Sequence, residues 1–328
     1  MASLLEQLKQ FSTLVCDSEE VSFIKKYGTQ DVTTNPTLIL QAVKKPEYQS
    51  LVEEAVYWGL KQDVDGRDAI IYILDKLLVN FGKTILKEIP GRVSVEVDAR
   101  LSFNMQAMVQ RGMFIAKLFE NEGIPGDRFL IKVPATWEGI CAAQFLETQG
   151  IKCNVTLVLN LIQAVAAANA KVTLVSPFVG RVLDWWQKYQ GKENYSVDRD
   201  PGVISVMQIY SYYKKFQVST EIMAASFRNI DQILALAGCD FMTISPKFLE
   251  ELAQTEGEVV KKLEPSIGAK LNIEPINLTE SAFRYLLNDD AMATEKLSEG
   301  IRLFSADTVV LENSVVNLLQ KLASEKVN

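Results

Sequence analysis

Eight short apolar runs recur along this chain, and the gaps between most of them carry a different periodicity. The runs are TLVCDS (13–18), DVTTNP (31–36), VSVEVD (93–98), FLIKVP (129–134), KCNVTLVL (152–159), VTLVSPF (172–178), EIMAASF (221–227) and FMTISP (241–246). Between them, 47–62, 68–88, 104–121 and 137–149 place apolar residues at three and four spacing, as amphipathic helices do. Strand alternating with helix implies parallel pairing through crossovers, and strands covered by helices read as continuous apolar runs. Eight such units predict an α/β fold of one domain over 1–328, a (β/α)8 barrel with added N- and C-terminal helices. An open doubly wound sheet is the alternative. It lacks support, because no Gly-rich dinucleotide turn and no GxxxxGK[ST] loop occurs.

The ends of the chain fit that plan. Leu4, Leu5, Leu8 and Phe11 fall on one helical face of MASLLEQLKQF, where Glu6 and Lys9 interrupt any signal-type apolar core. A segment of about 288–325, with Leu297, Ile301, Phe304, Val315, Val316 and Leu319 at helical spacing, is expected to pack on the barrel. The stretches 190–202 and about 262–280 read as irregular.

Composition narrows the partners. With 48% hydrophobic and 23% charged residues the chain can bury a large core, and its net charge of −7 speaks against nucleic acid or an anionic membrane surface. Cys16, Cys141, Cys153 and Cys239 are scattered and too few for a disulfide framework, and the longest apolar stretch, 158–175, is broken by polar residues. A reduced, cytoplasmic setting is the expectation. No histidine is present. Serine-type triads and the usual zinc ligands are therefore absent, and acid–base work falls to carboxylates, lysine, cysteine, tyrosine or water.

Lys132 stands inside FLIKVPAT with no acidic neighbour in that stretch. A lysine is rarely buried without a partner, so position alone leaves two uses open: an ion pair with Glu96 or Asp17 across the barrel interior, or a reactive amine. A free lysine amine has a pKa of about 10.4, and an apolar surround lowers such a value because burial disfavours the charged form. Other strands carry polar residues toward their C-terminal ends, where barrel enzymes work: Asp17, Asn35, Glu96, Asn154 with Thr156, and Ser176. Converging on one cavity, they would suit carbonyl chemistry on a polyhydroxylated substrate through a Schiff base, with no metal or cofactor needed. Arg181 and Arg228 follow the sixth and seventh runs, where guanidinium forks and the Ser226 hydroxyl would suit a phosphate, unless the arginines only form surface salt bridges.

These stretches resemble a known family. QDVTTNPTLIL (30–40), PGRVSVEVDARLSF (90–103), IKVPATWEGI (131–140), SPFVGRVLDW (176–185), DPGVISV (200–206), ASFRNIDQILALAGCD (225–240) and NDDAMATEKLSEGI (288–301) are similar in order and content to class I transaldolases of the full-length type. The resemblance implies a pentose phosphate pathway transferase that moves a dihydroxyacetone unit from sedoheptulose 7-phosphate to glyceraldehyde 3-phosphate. It implies Lys132 as Schiff-base nucleophile, Asp17 as acid–base for the bond that breaks, and Glu96 acting through a water also held by Thr156. It implies Asn35, Asn154 and Ser176 holding the three-carbon unit, Phe178 limiting water access, and Arg181, Arg228 and Ser226 taking the phosphate. A homodimer with sugar-phosphate substrates and no cofactor or metal follows from the same resemblance. The chain departs from the pattern at Val95, Asn104 and Asn160, where threonine, aspartate and a small residue are usual. A fructose 6-phosphate aldolase-like cleavage, or a non-catalytic sugar-phosphate binder, would be the competing functions.

Overall fold

The inward positions of the strands alternate with outward ones, and that period of two builds the molecule in layers. In the computed structural model, which describes residues 2–64, 66–192, 194–268 and 272–325, eight parallel strands close into one barrel in chain order. They are β1 (Thr13–Asp17), β2 (Asp31–Thr33), β3 (Val93–Glu96), β4 (Phe129–Pro134), β5 (Cys153–Val158), β6 (Leu174–Pro177), β7 (Glu221–Ala224) and β8 (Phe241–Ile244). Each lies within its expected run, and most end earlier. In the seventh run the chain leaves the sheet before residue 227: Ser226 takes φ 62°, a left-handed conformation that ends a strand.

Three layers stack along the barrel axis. At the N-terminal end Arg92 bridges Asp31 (2.9 Å) and Glu221 (2.8 Å) and lies over the Phe241 ring, closing the base. Above it Val15, Leu130, Leu174 and Met223 form an apolar plug. Two positions further up, Asp17, Lys132 and Ser176 are polar, while Ala225 past β7 stays apolar. Strand register places Glu96, Lys132 and Asn154 side by side, and Asp17 beside Thr33.

Helices wrap the outside, including Gln49–Gly59, Gly66–Leu86, Met105–Asn121, Trp137–Thr148, Leu161–Asn169 and Val179–Gln190. Several helix starts are set by side-chain caps, each worth about 1 kcal/mol. Asn35, Asn104, Thr136, Asn160 and Asn229 each accept the backbone N–H three residues on. Two of the departures noted in the sequence thus have local work. Asn104 caps its helix through Ala107 N, as an aspartate would, and Asn160 forms a reciprocal capping box with Gln163. Val95, on the outward face of β3, is buried in the main core.

The irregular stretches are more ordered than expected. Asp200 caps a helix beginning at Pro201, so DPG is a helix start, preceded by the 3-10 turn Val197–Arg199. In the second stretch Pro265–Gly268 makes one turn; residues 269–271 lie outside the described residues. At the N-terminus Leu4, Leu5 and Leu8 of the helix Leu4–Leu8 are buried.

The C-terminal helix runs Ala291–Glu325. Its start is pinned by Asp290, which accepts Ala293 N (3.0 Å) and the Asn160 side-chain amide (3.0 Å). Leu297, Ile301 and Phe304 pack on Phe178, Val182 and Leu157, while Leu311 and Val315 join the core of Ile39, Leu77 and Phe81. Its first half therefore lies over the C-terminal end of the barrel.

Candidate active site

The polar layer opens upward into a cavity of about 240 Å³ at the C-terminal end of the strands. Asp17, Asn35, Lys132, Thr156, Ser176, Phe178, Arg181, Ser226 and Arg228 line it. Glu96 and Asn154 do not line it: of the groups expected to converge there, these two stand behind the wall.

The reasons are local. The Asn154 amide donates to Ser94 Oγ (3.1 Å) and its oxygen accepts from Ser176 Oγ (2.8 Å), so it is spent orienting β3 and β6. Glu96 faces Lys132 across the β3–β4 register, with Oε2 3.2 Å from Nζ. Lys132 is only 5% exposed, and its ammonium also donates to Thr34 O (3.2 Å). The ion-pair use of Lys132 and its exposure to the cavity thus coexist.

Glu96 Oε2 keeps a charge contact with Lys132 but no aligned hydrogen-bond donor among the described residues, and Thr156 Oγ1 is likewise buried and unpartnered. Burial pushes the Glu96 carboxyl above the usual carboxylate range, opposed by the Lys132 charge. Asp17 is raised too, again by burial, with Lys132, the Thr33 hydrogen bond and Arg181 pulling the other way. Thr33 Oγ1 gives its one proton to Asp17 (2.8 Å), so the 2.6 Å contact between Thr33 and Thr243 has Thr243 as donor. Two hydroxyls in series thereby aim Asp17. Asn35 uses its carbonyl oxygen to cap Leu38 N (3.0 Å), which leaves the amide nitrogen for the cavity.

The arginines differ. Arg228 makes a fork to Asp184 (Nε–Oδ1 3.0 Å, Nη2–Oδ2 2.6 Å) and touches Ser226 Oγ (3.3 Å), so the surface ion pair exists beside its place in the cavity wall. Arg181 lies between the rings of Phe178 (5.1 Å) and Phe304 (5.4 Å), and its buried Nη1 has no hydrogen-bond partner among the described residues. Burial first, and then Arg228, lower its pKa. A desolvated guanidinium held by rings and short of an acceptor is half of an anion site.

Sequence reading missed Thr33, Thr243, Ser245, Phe248 and Phe304 in this wall. Counting by two back from Asp17 and its neighbours finds both threonines. Nothing local marks Phe304, which arrives from the C-terminal helix.

Fold and site together define a (β/α)8-barrel enzyme built on a buried lysine flanked by two carboxyls. The chain matches the family model "Transaldolase/Fructose-6-phosphate aldolase" over residues 14–315. It is 57% identical to the transaldolase of Chlamydia trachomatis serovar D over 326 residues, covering 99% of this chain and 100% of that one. Against the human transaldolase it is 54% identical over 313 residues, 95% of this chain and 93% of that one. The chain belongs to the transaldolase/fructose-6-phosphate aldolase family and is a transferase of the transaldolase kind.

Proposed function

We propose that this enzyme transfers a dihydroxyacetone unit through a Schiff base on Lys132, from sedoheptulose 7-phosphate to glyceraldehyde 3-phosphate. The observation that carries the reading is the Lys132 amine in the cavity floor, with Asp17 in the same wall and Glu96 Oε2 3.2 Å away. The amine adds to the donor ketone and water leaves, giving a protonated imine that serves as electron sink. Asp17 takes the C4 hydroxyl proton as the C3–C4 bond breaks, releasing erythrose 4-phosphate and leaving an enamine on Lys132. The enamine adds to the acceptor aldehyde, Asp17 returns the proton to the new hydroxyl, and hydrolysis of the imine frees fructose 6-phosphate.

Both proton carriers have carboxyls raised by burial, the direction that favours acid–base work near neutrality. Glu96 and Thr156 present buried, unpartnered oxygens, the two supports needed by a water that enters and leaves in imine chemistry. Asn35 and Ser176 hold the three-carbon unit, with Asn154 acting through Ser176. Arg181, Arg228 and Ser226 hold the phosphate. Phe178 puts an apolar ring in an otherwise polar wall, which limits water at the enamine and favours transfer over cleavage.

The same reading takes residues 1–328 as one domain, places the enzyme in the pentose phosphate pathway of the cytoplasm, and makes it a homodimer. Four free cysteines support a reducing compartment, and no helix among the described residues is long and apolar enough to cross a membrane. Fructose 6-phosphate supplied with and without erythrose 4-phosphate tests the activity. Product formation that depends on the acceptor is expected; free dihydroxyacetone released equally fast without it would favour an aldolase instead.

A further inference from the structure

Beyond Glu96, and sharing Asn35 with the substrate cavity, lies a second and smaller chamber of about 40 Å³. Thr34, Glu96, Asp98, Asp75, Arg111 and Thr308 are in its wall. A water needs roughly 10–15 Å³ of such space and two to four polar partners, so this chamber has both the room and the lining for one. Asp75 is the unexpected member. It sits mid-helix in Gly66–Leu86, buried, beside Leu74 and Leu78 in the chamber wall, and is paired with Arg111 of the neighbouring helix.

We propose that Asp75 is a positioning residue of the reaction, passing protons between solvent and the buried Glu96 carboxyl through the chamber they share. The inference rests on Glu96 serving imine formation and hydrolysis. A proton leaves the Asp75 carboxyl for a chamber water, and that water gives one of its own to Glu96. Asp75 then regains a proton from solvent beside Arg111, whose side chain reaches the surface at 18% exposure. The reverse sequence discharges Glu96 after hydrolysis, so no net charge accumulates behind the substrate.

The surrounding charges suit a carboxyl that changes protonation. Arg111, from Met105–Asn121, contacts Asp75 at 2.5 Å and holds its anion. Asp98, past β3, opposes that anion and is itself held by Arg100, which Glu312 of the C-terminal helix also grips. On the same helix as Asp75, Lys76 turns to Glu122 and to Glu54 of Gln49–Gly59. Burial balanced against Arg111 leaves the Asp75 pKa raised to about 7, where both forms are populated near neutrality.

The test measures transfer kcat, KM and the solvent deuterium effect between pH 5.5 and 9 on the full-length enzyme. Its variants are Asp75→Asn, Asp75→Glu, Thr308→Leu and Glu96→Gln. Among the described residues the Thr308 hydroxyl bonds only within its own helix, to Phe304 O, so leucine there fills the chamber while leaving Asp75 intact. Asp75→Asn and Thr308→Leu are each expected to lower kcat about tenfold with KM within twofold and an enlarged deuterium effect; Asp75→Glu recovers most of the rate. If Asp75→Asn keeps kcat and its pH profile within twofold while Glu96→Gln loses a hundredfold, Asp75 has no such role and that of Glu96 stands. If Glu96→Gln is itself unimpaired, the underlying reading of Glu96 fails. Should Asp75→Asn not fold, Thr308→Leu decides: unchanged kcat overturns the relay.

Discussion

Replacing Arg181 by methionine separates a substrate site from a structural ion, because the two make predictions of opposite sign. The guanidinium lies between Phe178 and Phe304 and, among the described residues, makes no salt bridge and leaves Nη1 buried without a hydrogen-bond partner. Methionine keeps the long apolar stem between the rings and removes the charge. The folded protein then loses no paired contact and sheds a desolvated cation, so its melting temperature should hold or rise. On the proposed role, the sugar phosphate should lose a charge-assisted hydrogen bond worth about 1.5–3 kcal/mol, or about 10–150-fold in KM. Steady-state transfer assays with phosphorylated and dephosphorylated acceptors, beside a melting curve, measure all three quantities. The KM increase should be confined to the phosphorylated acceptor. A drop of several degrees in melting temperature, or equal losses on both acceptors, would show that Arg181 serves the fold and not the phosphate.

Further outcomes follow from the same geometry. Asp17→Asn keeps the Thr33 contact but cannot carry a proton; kcat should fall about 10²–10⁴-fold while the Lys132 imine still forms and can be trapped by borohydride. Gly300→Ala would set a Cβ 2.7 Å from both Arg181 Nη1 and Leu157 Cδ2, so KM for phosphorylated substrates should rise several-fold with little change for dephosphorylated ones. Asp75 makes stability fall with pH. Its folded pKa of about 7 exceeds the ordinary 3.8, so the folded state alone keeps the proton between those values. That contribution is complete below about pH 4 and lost by about pH 7, at most about 4 kcal/mol. Denaturant titrations at pH 5 and 7.5 should show a flatter dependence for Asp75→Asn than for the parent chain.

The barrel was legible because the strands are buried on both faces and so are mostly apolar, and the runs stand out from the helices between them. The candidate site was legible for a related reason: Lys132, Glu96 and Asn154 break those runs at one level, and strand register makes them neighbours. Which side of a wall each group faces was not legible. Glu96 and Asn154 share the level of Lys132, yet packing turns one to a rear chamber and ties the other between Ser94 and Ser176. Phe304 and Thr308 also escaped, since residues that far past the last strand, which ends at Ile244, carry no local sign of which cavity their helix will cover. The choice posed by Lys132 had no sequence answer because it was not a choice: one side of the amine pairs with Glu96 while the residue lines the cavity.

The central claim is that Lys132 carries the substrate covalently. Borohydride reduction in the presence of fructose 6-phosphate, followed by peptide mass analysis, tests it directly. A dihydroxyacetone-sized adduct on Lys132, absent without sugar and absent in Lys132→Ala, is the expected result. Folded enzyme that turns over yet yields no adduct there, or bears it on another lysine, would contradict the account.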